Sequence, residues 1–464
     1  MPVQEITIEA PKKSETLAKK FVEKSQRHHL LDRFRSLPTH NLLRFGEVFF
    51  LMAIYFINFW LLLPFFGKED QTNNAIFSAP LIPILAGLTS PLLGYKYGIR
   101  LWLLFFLILF PVAFYFFVRE ITRRRLTAII ASLVVSLPVS VFLYLRIMIG
   151  LLTEDGGQVA ALSGTVLVCL TLYRFLRTGD FGMGIFASLG MAAVALTSPL
   201  SFVILLIWAL MLNFSEMLLG LARLKLFRFL VVCILAAGFA AFWYNPRFLL
   251  MTIASEEGKI FLKALANLLP LSFFLLPILG TFGFLLFENR PILQPLFIAF
   301  FLTIIFGLLS LGTGVQLSTP SRFLPAFGVS LAFLISVVFA RLYDNVRRLI
   351  KLKRFPAIYR YRRIIPAAII ALTLISLLIV IEASGRNFQD VEDLVSAETS
   401  GQPAKVKRVE ILEIRAMAGS LGSILGLSIT LATIGAAILL KIKLNPRNSG
   451  ISGQQQIPVD KKQL

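Results

Sequence analysis

The sequence has little charge and few of the residues that build soluble catalytic or metal sites. Only 15% of its 464 residues are charged, whereas soluble domains average about 25%. The two cysteines, Cys169 and Cys233, lie within apolar runs and predict neither a disulfide framework nor a zinc site. All three histidines, His28, His29 and His40, precede the first apolar run, which excludes a histidine-based metal site inside a membrane. A soluble enzyme, a disordered chain and a disulfide scaffold are therefore excluded.

Long apolar runs are what the sequence has in abundance. Hydrophobic residues make up 57% of the chain, and apolar runs recur from about residue 45 to residue 441. This pattern predicts an all-α, polytopic transmembrane helical bundle of about 12 spans. The predicted spans cover residues 46–66, 100–118, 127–149, 158–176, 182–197, 200–221, 229–244, 268–287, 292–310, 323–342, 364–383 and 417–441.

Positive charge predicts how these spans are oriented. The chain has 46 Lys and Arg against 25 Asp and Glu, a net charge of +21, and most cations lie between apolar runs. In a soluble protein this excess suggests nucleic acid, but here it follows the positive-inside rule. Basic loops at 119–125, 223–228 and 341–363 alternate onto one face, the predicted cytoplasmic one. The chain is expected in the plasma membrane, with both termini cytoplasmic and no nucleic-acid partner.

The span pattern also predicts how the chain is divided. Residues 75–94 are apolar but carry Pro80, Pro83 and Pro91, which predicts one or two short helices in the outer interface rather than a span. In this layout, the polar side chains that could carry chemistry lie in the outer loops. The predicted segments are a basic cytoplasmic tail (1–45), a transmembrane core (46–343) with an outer interfacial segment (67–99), a basic cytoplasmic loop (344–363), two C-terminal spans (364–441) with an outer loop (384–416), and a disordered cytoplasmic tail (442–464).

Acidic pairs occur in two of the outer loops. Glu69 and Asp70 follow the first span, where a carboxylate at the water–membrane boundary suits a general base or a cation ligand. Glu154 and Asp155 lie in a short turn that continues with two glycines. The alternative interpretation is that both pairs are ordinary solvated turn residues. In that case Glu154 and Asp155 stabilise the start of the next helix. The pattern identifies no cofactor, and a divalent cation such as Mg²⁺ or Mn²⁺ is the candidate for these carboxylates.

Two arginines lie where basic residues are unexpected. Arg146 is about one turn inside the outer end of the third predicted span, where it either snorkels or pairs with an outer acid. Arg322 opens the tenth predicted span beside Ser and Thr residues, which suits a phosphate or pyrophosphate, or else a headgroup anchor. On the inner side, Glu216 is expected to snorkel or to pair with Arg223.

Taken together, the layout resembles the GT-C class of integral-membrane glycosyltransferases, which use polyprenyl-phosphate-linked sugars at the outer face. In that class an acidic motif follows the first span, and interfacial helices precede the second. The Glu69-Asp70 pair and residues 75–99 are similar to those two features. A late span that opens with Arg, an aromatic residue, Leu and Pro is similar to the Arg-Phe-Leu-Pro sequence at 322–325.

The resemblance implies a role for the candidate residues. Asp70 or Glu69 would be the general base that deprotonates the acceptor, and Arg322 would hold the donor phosphate. Glu154 or Asp155 would be a secondary acid near the acceptor or a metal. Glycosyl transfer further predicts that these residues and Arg146 converge on one outer cavity, with membrane lipids and a polyprenyl-phosphate-linked sugar as partners.

Two other functions fit parts of the pattern. About twelve spans with both termini inside are also typical of a transporter or a lipid-linked saccharide flippase, which would show related halves and a midplane polar site. A surface-polysaccharide polymerase or ligase would use outer arginines and a large outer loop, such as 384–416. Transfer of a sugar from a polyprenyl-phosphate donor to an acceptor at the outer face ranks first.

Overall fold

The computed structural model describes residues 39–62, 80–136, 156–254, 293–311, 323–351 and 420–443, together with 259, 280, 281 and 283. All regular structure in these residues is helical, and no strand occurs among them. The helices are α1 (Thr39–Leu62), α2 (Leu81–Leu93), α3 (Tyr95–Thr122), α4 (Arg125–Ser136), α5 (Gly156–Thr178), α6 (Phe181–Thr197), α7 (Pro199–Leu218), α8 (Ala222–Ala240), α9 (Pro246–Ala254), α10 (Gln294–Ser310), α11 (Leu324–Lys351) and α12 (Ser420–Lys443).

Five of the described helices are long and apolar enough to cross a membrane, namely α3, α5, α7, α11 and α12. The apolar helices α2, α4, α6 and α10 are shorter, as is the Gly46–Trp60 part of α1. The chain is therefore a helical membrane protein, as its composition predicts. The predicted span 268–287 lies almost entirely outside the described residues, and the predicted span 364–383 lies entirely outside them.

Contacts within the chain separate a unit of residues 1–56 from a unit of residues 57–464. The boundary falls within α1, and α2 to α12 belong wholly to the second unit. The helical bundle described below is that second unit alone.

Helices α3, α5 and α7 run in the same direction. Near their last turns, Arg174 of α5 donates to Glu120 of α3 at 2.6 Å, and Arg177 of α5 donates to Glu216 of α7 at 2.9 Å. The end of the bundle where these three helices finish is called the basic end, and the other is called the opposite end. Because these three helices are parallel, the chain must cross the bundle in the opposite direction before each next one begins.

Helices α8 and α10 run in this opposite direction. Lys225 near the start of α8 and Gln294 at the start of α10 both bond to Glu216, so α8 and α10 begin at the basic end. Helix α11 runs toward the basic end, because its Phe333 contacts Phe117 of α3 and its Arg341, further along, lines a pocket with Thr122 at the end of α3. The cations predicted for the loops at 119–125 and 223–228 therefore lie at one end of the bundle.

An aromatic cluster joins the parallel helices α3, α7 and α11. The ring centroid of Phe117 in α3 lies 5.7 Å from that of Trp208 in α7 and 5.8 Å from that of Phe333 in α11. Phe114, one turn earlier in α3, lies 6.4 Å from Phe333 in an edge-to-face arrangement. All four side chains are buried. Such pairs contribute about 0.5–1.5 kcal/mol each beyond their buried area, so the cluster holds α3, α7 and α11 together.

The described part of the predicted interfacial segment contains α2, which packs against the start of α3. The chain reverses at Gly94, whose φ of +79° is a conformation that suits glycine. At Gly98 of α3, a Cβ would lie 3.0 Å from the Ala86 carbonyl oxygen, so the two backbones approach closely. Ile82, Leu103 and Ala160 form a buried cluster near the start of α5. The hairpin of α2 and α3 therefore belongs to the opposite end.

Small residues bring α5 and α6 together along their length. A Cβ at Gly157 would lie 2.7 Å from the Thr197 carbonyl oxygen, and one at Gly190 would lie 2.6 Å from a methyl group of Val168. Lipid tails are as apolar as leucine, so helices in a membrane associate through such close packing rather than through the hydrophobic effect.

The last described helix, α12, packs against α8, also through close approach at glycines. A Cβ at Gly426 would collide with the Ala241 carbonyl oxygen, and Thr430 Oγ1 donates to the Gly238 carbonyl oxygen at 3.0 Å. Much of the remaining surface of α12 is apolar and exposed, as expected for a side facing lipid. The contact with α8 thus depends on backbone approach at Gly426 and Gly238.

The Gly426→Ala variant should weaken this contact, because the clashing atom belongs to the backbone of the Ala241 region and cannot rotate away. We expect the unfolding temperature of the purified protein in detergent to fall. Gly435→Ala on the same helix is the matched control, since nothing lies within 4 Å of its Cβ position. Equal unfolding temperatures for the two variants would show that α12 does not depend on this approach.

Candidate functional site

The six residues predicted to form an outer site all lie outside the described residues. They are Glu69, Asp70, Arg146, Glu154, Asp155 and Arg322. Their roles therefore stay predictions, as does a divalent cation at the acidic pairs. Among the described residues, no group of three or more His, Cys, Asp or Glu side chains is placed to hold a metal ion.

The described residues bring a different set of polar groups together, around the carboxylate of Glu216. This side chain is 1% exposed although it lies in an apolar helix. Its Oε1 accepts from Arg177 Nε at 2.9 Å and from Gln294 Nε2 at 2.7 Å, and its Oε2 accepts from Lys225 Nζ at 2.9 Å. The four residues come from α7, α5, α10 and α8, so one carboxylate joins four helices. With Ser215 they are called the ion cluster.

Further hydrogen bonds complete the ion cluster. Arg177 donates a second time, from a terminal nitrogen to Gln294 Oε1 at 2.9 Å. Gln294 Nε2 also donates to Ser215 Oγ at 3.2 Å. Lys225 Nζ donates to the Glu216 carbonyl oxygen at 2.6 Å and so satisfies a backbone acceptor near the end of α7. Each charged group of the cluster thus has an opposite charge and at least one further partner.

The cluster sits where helix dipoles favour positive charge. The C-terminal ends of α5 and α7 carry partial negative charge from their unpaired carbonyl groups. Arg228 of α8 donates to the Leu176 carbonyl oxygen at 2.7 Å and lies close to Gly179, whose φ is +72°. A side chain at Gly179 would collide with this guanidinium. The cations therefore compensate the helix ends as well as Glu216.

Tyr173 lies directly beneath the ion cluster. The guanidinium carbon of Arg177 is 4.4 Å from the centroid of the Tyr173 ring, a cation–π contact. The phenol is buried, and its oxygen has no hydrogen-bond partner among the described residues. The Arg177 guanidinium is thus bonded to Glu216 at its edge and packed against the Tyr173 ring on its face.

The arrangement holds helix ends together and offers no accessible reactive group. Glu216 is buried and engaged at both oxygens, so it is not available as a general base toward a substrate. The sequence-based pairing of Glu216 with Arg223 is wrong, because Arg223 lies on the exposed side of α8 and Lys225 takes its place. Arg177 and Gln294 were missed, although a lone acid in an apolar run signals that buried partners must exist.

The Glu216→Gln variant should destabilise the protein, because it leaves Arg177 and Lys225 close together without a counter-charge. Breaking a buried ion pair in this way costs about 3–5 kcal/mol. We expect a large fall in the unfolding free energy or temperature in detergent.

Glu120→Gln provides the matched control at the same end of the bundle. Its partner is Arg174, and the two side chains are 35% and 40% exposed. Exposed pairs contribute at most about 1 kcal/mol, so this variant should be nearly neutral. Similar losses in both variants would contradict a special role for the ion cluster.

The sequence was also compared with known proteins. It matches no protein-family model, and comparisons with curated proteins and with solved structures found no match.

Proposed function

We propose that the protein is a membrane glycosyltransferase that moves a sugar from a polyprenyl-phosphate donor to an acceptor at the outer face. The reacting groups would lie at the opposite end of the bundle, away from the ion cluster. This assignment is supported by the sequence resemblance to the GT-C class and by the direction of the described helices.

The observation that carries the proposal is where the helices adjoining the candidate residues begin. Asp155 directly precedes Gly156, the first residue of α5, and Arg322 directly precedes Phe323, which leads into α11. Both helices run toward the basic end, so both begin at the opposite end. The two candidate residues lie far apart in the sequence, yet the helices that follow them, α5 and α11, begin at the same end of the bundle.

The hairpin of α2 and α3 supports the same location. The Glu69-Asp70 pair precedes α2 in the sequence, and α2 packs against α3 beside the start of α5. A short helix of this kind, next to the first acidic motif, is what the GT-C resemblance implies. The opposite end thus combines the helix starts and the short helix that such a site needs.

In the proposed reaction, Asp70 or Glu69 takes the proton of the acceptor hydroxyl, and that oxygen attacks the anomeric carbon of the donor sugar. The bond between this carbon and the phosphate oxygen breaks, and its electron pair stays with the polyprenyl phosphate. Arg322 stabilises the charge on the departing phosphate, since a guanidinium presents paired donors that match phosphate oxygens. Glu154, Asp155 and Arg146 would orient the acceptor or a cation.

The test is sugar transfer by the purified full-length protein in liposomes, using a panel of polyprenyl-phosphate-linked sugars. Asp70→Asn should reduce turnover by about a hundredfold or more, as expected for loss of a general base. Arg322→Ala should reduce it similarly, because the leaving phosphate loses a charged donor.

Glu120→Gln, at the basic end, should leave turnover unchanged and controls for general damage to the fold. Unchanged turnover in both Asp70→Asn and Arg322→Ala would contradict their assigned roles. Absence of transfer by the wild-type protein from every donor in the panel would contradict the function itself.

A second candidate is a transporter or lipid-linked saccharide flippase. The observation that favours it is the ion cluster, because ionisable groups inside membrane bundles commonly mark ion or substrate pathways. Its position near the helix ends, rather than at the midplane, ranks this candidate second. Movement of a labelled lipid-linked saccharide across liposomes without sugar transfer would favour it. The polymerase or ligase alternative depends on residues 384–416, which lie outside the described ranges.

A further inference from the structure

We draw no further inference here: the strongest candidate, the side chains of Tyr173 and Asn213 buried one turn beneath the ion cluster, belongs to the site already described, and nothing in the described part of the chain shows which ligand would contact them.

Discussion

The carboxylate of Glu216 is the interaction on which the basic end of the bundle depends. It is a single negative charge, 1% exposed, and it accepts from side chains of three other helices. Withdrawing such a group from water costs several kcal/mol unless its partners are all in place. Because apolar helices in lipid gain little from sliding past one another, packing alone sets their relative depth weakly. The ion cluster sets that depth for α5, α7, α8 and α10.

The rest of the bundle is held by contacts suited to an apolar solvent. Hydroxyl groups reach across to carbonyl oxygens: Ser132 to Pro111 at 2.9 Å, Ser201 to Gln158 at 3.0 Å and Tyr244 to Ala195 at 2.8 Å. Glycines permit the backbone approach between α5 and α6 and between α8 and α12. Aromatic rings fill the space between α3, α7 and α11. The ion pairs given by the described residues lie near helix ends, where dipoles and the membrane surface lower the cost of charge.

The two ends of the bundle therefore differ in character. The basic end is closed by salt bridges and carries the cations that suit an anionic leaflet. The opposite end holds the starts of α5 and α11 and the α2–α3 hairpin, next to the acidic pairs and Arg322 in sequence. The proposed function assigns binding and chemistry to the opposite end.

Composition and periodicity by themselves determined the helical membrane class, the approximate positions of the described helices and the short helix after Pro80. These properties follow from the transfer free energies of local segments, which add along the chain. Only the tertiary structure decided which residues meet. Arg223 and Lys225 are equivalent in composition, but two positions along a helix rotate a side chain by about 200°, so Lys225 reaches Glu216 while Arg223 stays exposed. Gly426 and Gly435 look alike in the sequence, yet only Gly426 faces another backbone. Partners depend on helix rotation and depth, and contacts between segments that are distant in the sequence set both, the ion cluster among them.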